Sequence, residues 1–201
     1  EDMLTVEEPL EIRIGGQAVA VLMRTPRDDF DLVAGFLYTE GMIRQPQDLG
    51  ALSYCATAQP PNLENVVEVR LSEGVVFDLE RFRRHFYATS SCGICGKASI
   101  EAIRAQAPVL EGNFRMRRAL LYTLDEKLRA TQAVFARTGS LHAAALFDLE
   151  GELLVLREDV GRHNAVDKVV GSFIRRGQQL PDQAVLMVSG RASFEIVQKA
   201  L

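Results

Sequence analysis

Residues 140–176 read SLHAAALFDLEGELLVLREDVGRHNAVDKVVGSFIRR, and the order of elements within them sets the fold class. Residues 140–147 and 152–156 flank the turn at Glu150-Gly151, and their apolar runs predict two strands. Over residues 164–176 apolar side chains recur at helical spacing, which predicts a helix. Two strands followed by a helix that packs on them indicate α/β architecture.

The rest of the chain adds elements of both kinds. Residues 10–14 and 18–23 flank Gly15-Gly16, a signal for a two-residue hairpin. Residues 28–40 predict a capped amphipathic helix that Gly41 ends. Further predictions are a half-buried strand at 66–71, helices at 97–107, 117–137 and 192–201, and a buried strand at 184–188. We place a domain boundary near residue 110, giving an N-terminal α+β domain (1–110) and an α/β domain (111–201).

Composition excludes several classes of protein. An apolar fraction of 47% with 25% charged residues is ordinary for a globular chain, and three cysteines are too few for a disulfide scaffold. The longest apolar runs, at 18–23 and 184–188, are far shorter than the roughly 18 residues of a membrane span. No targeting peptide is visible at the start. We therefore expect a cytoplasmic protein in a reducing compartment that does not enter a membrane.

The charge balance argues against nucleic acid as a partner. With 23 basic and 27 acidic residues the net charge is −4, which disfavours broad electrostatic capture of a polyanion. Basic residues do cluster locally, and we interpret the clusters as solvated faces. They are Arg81, Arg83, Arg84 and His85, and Arg115, Arg117 and Arg118.

A C-x-x-C motif is the sharpest chemical feature. Residues 89–97 read TSSCGICGK, so Cys92 and Cys95 lie just before the predicted helix at 97–107. A helix N-terminus and nearby cations such as Lys97 lower the pKa of a thiol, which makes its thiolate available as a nucleophile. The motif therefore predicts one or two reactive cysteines.

Other interpretations of these cysteines stay open. A structural zinc site needs four ligands, and beyond the motif the chain offers only Cys55, His85, His142 and His163. A thioredoxin-type dithiol would follow a strand, whereas an aperiodic basic segment precedes this motif. Purely structural cysteines are the remaining alternative. Cys55 is most simply a small buried apolar residue.

Two similar junctions form the second feature. Residues 159–164 read DVGRHN and residues 188–193 read VSGRAS, and each places Gly-Arg where a predicted strand turns into a helix. Free N–H groups at a helix start, a glycine that permits close approach and a guanidinium together suit phosphate groups. The candidate anion-binding residues are Gly161, Arg162, His163, Asn164, Ser189, Gly190, Arg191 and Ser193.

Plainer roles are available for the same residues. Asn164 and Ser189 can cap helices without excluding a ligand contact. His142 lies in a strand pattern and is most simply a structural histidine. Glu158, Asp159 and Asp167 are explained by ion pairs with Arg162 and Lys168 near the helix start.

The assembled strings resemble the FdhD/NarQ family, the formate dehydrogenase accessory sulfurtransferases. The resemblance covers nearly the whole chain, and its strings are jointly very specific. They are residues 8–10, 23–26, 35–37, 40–41, 91–99, 138–139, 141–144, 159–168 and 189–195.

The resemblance implies a function. Members of this family accept persulfide sulfur from a cysteine desulfurase and pass it to the molybdenum or tungsten bis(guanine dinucleotide) cofactor that formate dehydrogenase needs. Carried over by position, the persulfide falls on Cys92, with Cys95 as second acceptor or resolving thiol. The implied cargo is Mo-bis(molybdopterin guanine dinucleotide), with GDP-like nucleotides as mimics. A homodimer without an intrinsic metal is also implied.

The resemblance further implies a cytidine deaminase-like three-layer C-terminal domain. The two junctions fall where a deaminase has its zinc ligands, but the ligand cysteines and the catalytic glutamate are missing, so deamination is not expected. Family members continue past Leu201 with a segment implicated in holding the guanine dinucleotide. We therefore expect a chain truncated at its C-terminus. Two rival functions remain, namely a cofactor-binding chaperone that transfers no sulfur and a zinc-stabilised interaction module.

Overall fold

The computed structural model of the chain describes residues 2–76 and 114–201. Several sequence predictions fall on residues 77–113 and therefore lie outside the described residues. They are the C-x-x-C motif with Cys92 and Cys95, the helix at 97–107, the basic cluster around His85 and the domain boundary near residue 110.

The first sheet has four strands in the order β2-β1-β4-β3. Its strands are β1 (Glu8–Ile14), β2 (Gln17–Arg24), β3 (Leu49–Tyr54) and β4 (Val66–Leu71). The hairpin prediction is confirmed: β1 and β2 are antiparallel, and Gly15 and Gly16 connect them with φ of 58° and 78°. Such φ values favour glycine. β4 pairs parallel to β1 and antiparallel to β3.

The second sheet has three antiparallel strands in the order β6-β5-β7. They are β5 (His142–Phe147), β6 (Leu153–Asp159) and β7 (Val185–Val188). The central strand β5 is buried on both faces, which explains its continuous apolar sequence. The edge strand β7 is only half-buried, so the prediction that it is a buried strand is wrong.

Five α-helices and a short 3₁₀ helix (Pro46–Asp48) complete the described chain. The α-helices are α1 (Asp29–Thr39), α2 (Arg118–Thr131), α3 (Phe135–Thr138), α4 (Arg162–Ile174) and α5 (Phe194–Ala200). The single helix predicted over 117–137 is instead two helices separated by a turn at 132–134. The carboxylate of Glu158 holds this turn, accepting hydrogen bonds from the backbone N of Val134 at 3.0 Å and of Phe135 at 2.9 Å.

Helices α1 and α4 lie between the two sheets, and one apolar core joins all four layers. On the far face of the second sheet α2 packs Leu124 and Leu128 against Ala143, Ala145 and Phe147. The second sheet is thus covered on both faces, which confirms mixed α/β architecture. Its cytidine deaminase-like detail remains a prediction.

Helix α1 is buried almost all round, so its predicted amphipathic character is wrong. It lies between the first sheet and α4, and its buried carboxylates are paired rather than solvated. Asp29 forms an ion pair with Arg24 at 2.9 Å, and Asp31 with Arg157 at 2.8 Å. The side chain of the N-cap residue Asp28 makes no capping hydrogen bond. Within residues 2–76 and 114–201 no helix is long and apolar enough to span a membrane.

Candidate functional site at the junction edge

One edge of the second sheet collects the chain segments that the sequence singled out. β5 begins there at His142, which pairs with Asp159 at the end of β6. Beside β5, the backbone N of Ser189 donates to the carbonyl of Ala143 at 2.9 Å, just beyond the end of β7. We call His142, residues 159–164 and residues 188–193 the junction edge. Helices α4 and α5 both start from it.

The turn from β6 into α4 is built around the fully buried carboxylate of Asp159. Its Oδ1 accepts from the backbone N of Gly161 at 2.8 Å and from Nδ2 of Asn164 at 2.9 Å. Its Oδ2 forms an ion pair with Lys168 at 2.7 Å, and this pair is almost completely buried. The expected pairing of Asp159 with Lys168 is confirmed, and it fixes the turn that presents Arg162.

The end of β2 supports this turn from the first sheet. Thr25 donates its backbone N to Asp159 Oδ2 at 3.2 Å and accepts at Oγ1 from the backbone N of Val160 at 3.2 Å. Its carbonyl accepts from Nζ of Lys168 at 2.9 Å. The carbonyl of Met23 accepts from Nδ2 of Asn164 at 2.8 Å. Asn164 is therefore a brace between the sheets, and the capping role expected for it is wrong because Gly161 is the N-cap of α4.

The second junction lies directly against the first. A Cβ atom at Gly190 would come within 3.3 Å of Cβ and Cδ of Arg162 and of Nδ1 of His142. Glycine is thus the residue that lets the chain pass this close to the arginine stem and the imidazole. Ser189 accepts at Oγ from the backbone N of Ala143 at 2.8 Å, so it fastens the loop to β5 and does not cap α5. Arg191 is exposed.

The first turns of α4 and α5 meet through His163. Its Nε2 lies 3.1 Å from Oε2 of Glu195 and 3.5 Å from Oγ of Ser193, the N-cap residue of α5. Burial, together with the positive charges of Arg162 and Lys199, lowers the pKa of His163 to about 4. The imidazole is neutral at neutral pH and links the two helix starts without adding charge.

A buried ion cluster ties α5 to the rest of the fold. Nζ of Lys199 lies 3.0 Å from Asp167 and 2.9 Å from Glu40, and the hydroxyl of Thr39 bonds both Lys199 and Asp167. Burial alone would lower the pKa of Lys199, but the two carboxylates outweigh it and raise that pKa above its ordinary value. The pairing expected for Asp167 near the start of α4 is wrong, because its partner is Lys199 on α5.

Beside the junction edge a cavity of about 480 Å³ opens between α2, α3 and the second sheet. Polar and apolar groups share its wall, and His142 and Ser189 lie where it meets the junction edge. Polar groups from α2 and the turn after it complete the lining. Its lining includes Arg129, Gln132, Phe135, Leu141, His142 and Ser189.

The eight predicted anion-binding residues are thus brought together, and their binding role stays a prediction. Cys55 is not the buried apolar residue expected: it is half-buried at the end of β3, where its thiol lies 3.3 Å from Oγ1 of Thr57. The Thr57 contacts lower its pKa. Among the described residues no three His, Cys, Asp or Glu side chains form a group that could hold a metal ion.

Sequence reasoning missed two residues of the site, Thr25 and Gln132. Thr25 follows the end of β2 and is far from both junctions in the sequence. Its only signal was its place in residues 23–26, one of the strings that resemble the family. Gln132 sits inside a run interpreted as continuous helix, so nothing in the local pattern distinguished it.

Fold and site together define a mixed α/β protein with a polar site where two strand-to-helix junctions meet beside a cavity. The family model described as "FdhD/NarQ family" matches residues 5–201. The chain belongs to the FdhD/NarQ family.

Individual proteins are similar over the same length. A "Sulfur carrier protein FdhD" of Streptomyces avermitilis is 51% identical over 210 residues, covering 100% of this chain and 73% of the relative. A protein of the same name from Mycobacterium tuberculosis is 48% identical, covering 100% of this chain and 75% of the relative. The crystal structure of a formate dehydrogenase accessory protein from Desulfotalea psychrophila superposes with a TM-score of 0.70. At 23% identity it covers 96% of this chain and 69% of its own, and it supports the fold.

Proposed function

We propose that this protein is a sulfur carrier, a sulfurtransferase that accepts persulfide sulfur and delivers it during the maturation of formate dehydrogenase. The observation that carries the proposal is the family match over residues 5–201 together with relatives named sulfur carrier proteins at 51% and 48% identity. The C-x-x-C motif supplies the thiol chemistry that such a role requires.

Sulfur transfer proceeds in two steps, acceptance by Cys92 and release with the help of Cys95. The thiolate of Cys92 attacks the terminal sulfur of a persulfide on the donor, the donor S–S bond breaks, and the donor leaves as a thiolate. Cys92 then carries the persulfide. In the second step the Cys95 thiolate attacks Sγ of Cys92, which expels hydrosulfide and leaves a Cys92–Cys95 disulfide for a cellular dithiol to reduce. No metal of the protein's own is needed.

The cargo that we propose is the molybdenum or tungsten bis(guanine dinucleotide) cofactor, written as Mo-bis(molybdopterin guanine dinucleotide), which GDP-like nucleotides would mimic. Its phosphates suit the junction edge, where the backbone at Gly190 packs against the stem of Arg162 and Arg191 is exposed to solvent. A guanidinium binds a phosphate with paired, charge-assisted hydrogen bonds. Cofactor chemistry occurs on the cargo, while the chain's own residues bind and orient it.

Partners follow from the two steps. A cysteine desulfurase is the proposed donor and formate dehydrogenase the proposed recipient, and a homodimer is the proposed assembly. The net charge of −4 favours no nucleic acid partner. A membrane partner is not proposed, and the cytoplasm is the proposed compartment.

The decisive experiment measures sulfur on individual cysteines. The protein is incubated with a cysteine desulfurase and cysteine, and intact mass and peptide spectra then locate any added sulfur atom. We expect Cys92→Ala to reduce loading to background, because it removes the attacking thiolate. Cys95→Ala should still load but fail to release sulfide. Cys55→Ala is the matched control, since it deletes a half-buried thiol outside the C-x-x-C motif, and it should load like the parent.

Three results would contradict the proposal. Equal loading of Cys92→Ala and the parent would remove Cys92 from the transfer. No added sulfur on the parent, with stoichiometric zinc in the purified protein, would favour the zinc-stabilised module. No added sulfur with a bound pterin or guanine nucleotide would favour the chaperone.

A further inference from the structure

A basic surface lies at the start of α2, away from the junction edge. Its three arginines, Arg115, Arg117 and Arg118, are exposed and form one of the clusters that the sequence contains. The first turn of α2 has no acidic residue, and the ion pairs described on this helix begin only at Asp125. Positive charge at a helix start opposes the helix dipole. The three guanidinium groups therefore do not stabilise the helix on which they lie.

Large apolar side chains share this surface. Phe114 is 52% exposed, Leu121 47% and Tyr122 74%. Leu121 and Tyr122 lie three and four residues after Arg118, so these side chains are neighbours on the helix. Met116 packs against the core of the second sheet, which holds the residues just before α2 in place. We call the exposed residues of this region the α2 surface; they are Phe114, Arg115, Arg117, Arg118, Leu121 and Tyr122.

The composition of the α2 surface favours a protein partner with acidic side chains. Arginine and aromatic residues are enriched at protein interfaces. Because the whole chain has a net charge of −4, the positive charge is local and would attract carboxylates to this surface in particular. Three arginines neutralise few phosphates, and the aliphatic side chain of Leu121 offers no ring for base stacking, so a nucleic acid fits less well.

The α2 surface lies towards the opposite edge of the second sheet from the junction edge. Leu120 in the first turn of α2 adjoins the turn between β5 and β6, where a Cβ atom at Gly151 would lie 3.6 Å from its Cδ2. β5 runs from His142 at the junction edge to Phe147 near that turn, so roughly 17–20 Å separates the two ends. A protein that receives the proposed cofactor must approach the junction edge. The α2 surface suits a partner that needs no access to the cofactor, namely the sulfur donor.

We propose that the α2 surface docks the protein that donates sulfur, through a region of that donor in which carboxylates surround an apolar side chain. The inference rests on the proposed function, because it concerns the first of the two transfer steps. The arginines speed the encounter with the acidic region, and Phe114 and Tyr122 supply apolar contacts in the docked complex. Docking raises the effective concentration of the donor persulfide around the carrier and leaves the chemistry at the thiol unchanged.

Charge reversal tests the role of the arginines. The measurement is kcat/KM for sulfur loading by a cysteine desulfurase, with the carrier as the varied substrate. Arg117→Glu/Arg118→Glu should lower kcat/KM about tenfold, and added salt should slow loading of the parent much more than loading of this variant. Glutamate at a helix start favours the helix dipole, so the loss cannot be ascribed to unfolding of α2. Arg44→Glu/Arg176→Glu is the matched control.

The control variant changes the net charge by the same amount at two exposed arginines outside the α2 surface, so it should load like the parent. A third variant, Tyr122→Ala, tests the apolar contact. It removes a large exposed side chain and no charge, and it should lower kcat/KM about tenfold while keeping the salt dependence of the parent.

A small donor separates docking from sulfur chemistry. Glutathione persulfide needs no docking surface, so the parent and all variants should load from it at the same rate. If the parent loads from the desulfurase and Arg117→Glu/Arg118→Glu keeps the parental kcat/KM and salt dependence, docking at the α2 surface is refuted while sulfur carriage stands. Loading of the parent from glutathione persulfide alone also refutes docking of the desulfurase.

Two further results would overturn the inference. If the parent takes sulfur from neither donor, the proposed function fails and the docking surface with it. If the parent binds a fluorescent single-stranded oligonucleotide, and charge reversal abolishes this binding but leaves loading by the desulfurase unchanged, the α2 surface binds nucleic acid instead.

Discussion

Hydrogen bonds, ion pairs and nearby charges fix the buried polar side chains at the junction edge and set the pKa of His163. Asp159 has four donors around its two oxygens, and these contacts shape the turn before Arg162. His163 experiences the opposite environment, because burial and two nearby cations disfavour its protonated form. Neighbouring groups at the junction edge thus donate hydrogen bonds to the carboxylate of Asp159 and keep the imidazole of His163 neutral.

The neutral state of His163 predicts an acid-sensitive stability. Its pKa is lowered to about 4 from an ordinary value of 6.5, so the unfolded chain binds a proton first as pH falls. The stabilisation is complete above pH 6.5 and is lost as pH falls towards 4. Replacement by glutamine, which does not titrate, should remove about 2 kcal/mol of this pH dependence.

Urea unfolding of the parent and His163→Gln at several pH values between 4 and 7 measures this difference. Burial raises the pKa of Asp167 to about 6, which opposes the histidine effect over part of the range. That contribution is common to both proteins and cancels in the comparison. Parallel pH profiles for the two proteins would show that His163 does not titrate between its folded and unfolded states.

Among the secondary-structure elements, sequence patterns predict those whose position depends on turns and spacing within the same segment. The Gly15-Gly16 hairpin, the strand β4 and the helix α4 appear where spacing and turn residues put them. The strand β3 was missed because Gly50 and Ser53 interrupt its apolar pattern. The break at Gln132 was missed because its cause, the Glu158 carboxylate, lies 24 residues away from Val134 in the chain. The candidate site was predictable as two junctions, whereas their contact and the cavity depend on tertiary packing.

The crossing of α1 and α4 depends on two glycines. A Cβ atom at Gly35 would lie 1.8 Å from the carbonyl oxygen of Asp167, and one at Gly171 would lie 1.8 Å from that of Asp31. Gly35→Ala and Gly171→Ala should each destabilise the protein by about 2 kcal/mol or more, despite the roughly 1 kcal/mol that alanine gains in a helix. Urea unfolding gives the values, with exposed Glu126→Ala as the control.

A double variant sharpens this test of the crossing. Either methyl group forces the same two helices apart, so the second should cost less than the first and the two effects should be less than additive. Stability close to that of the parent in both single variants would mean that the helices can separate without loss.

In the whole molecule, polar contacts join the first sheet and α1 to the second sheet and α4. Thr25 of the first sheet bonds the Asp159 turn, and Asp31 of α1 binds both Arg157 on β6 and Arg175 beyond α4. Apolar packing between the helices continues the same connection. If residues 1–110 and 111–201 fold as separate domains, these contacts form only after each half has folded.

We expect instead a single unfolding transition that Asp31 controls. Asp31→Asn removes the charge from a carboxyl group that is only 1% exposed and weakens its pairs with Arg157 and Arg175. Arg175 is half-exposed and Arg157 also lies 3.7 Å from Asp28, so neither guanidinium is left without compensation, and the free energy of unfolding should fall by about 2 kcal/mol. Asp125→Asn is the matched control: its pair with Arg129 is exposed, so its loss should cost less than about 1 kcal/mol.

Amide exchange should report one opening free energy for the protected amides of β1 and β5, lowered equally by Asp31→Asn because both sheets unfold together. If the amides of β5 exchange faster in Asp31→Asn while those of β1 keep their parental protection, the two sheets unfold independently. The chain would then consist of two folding domains that meet near residue 110.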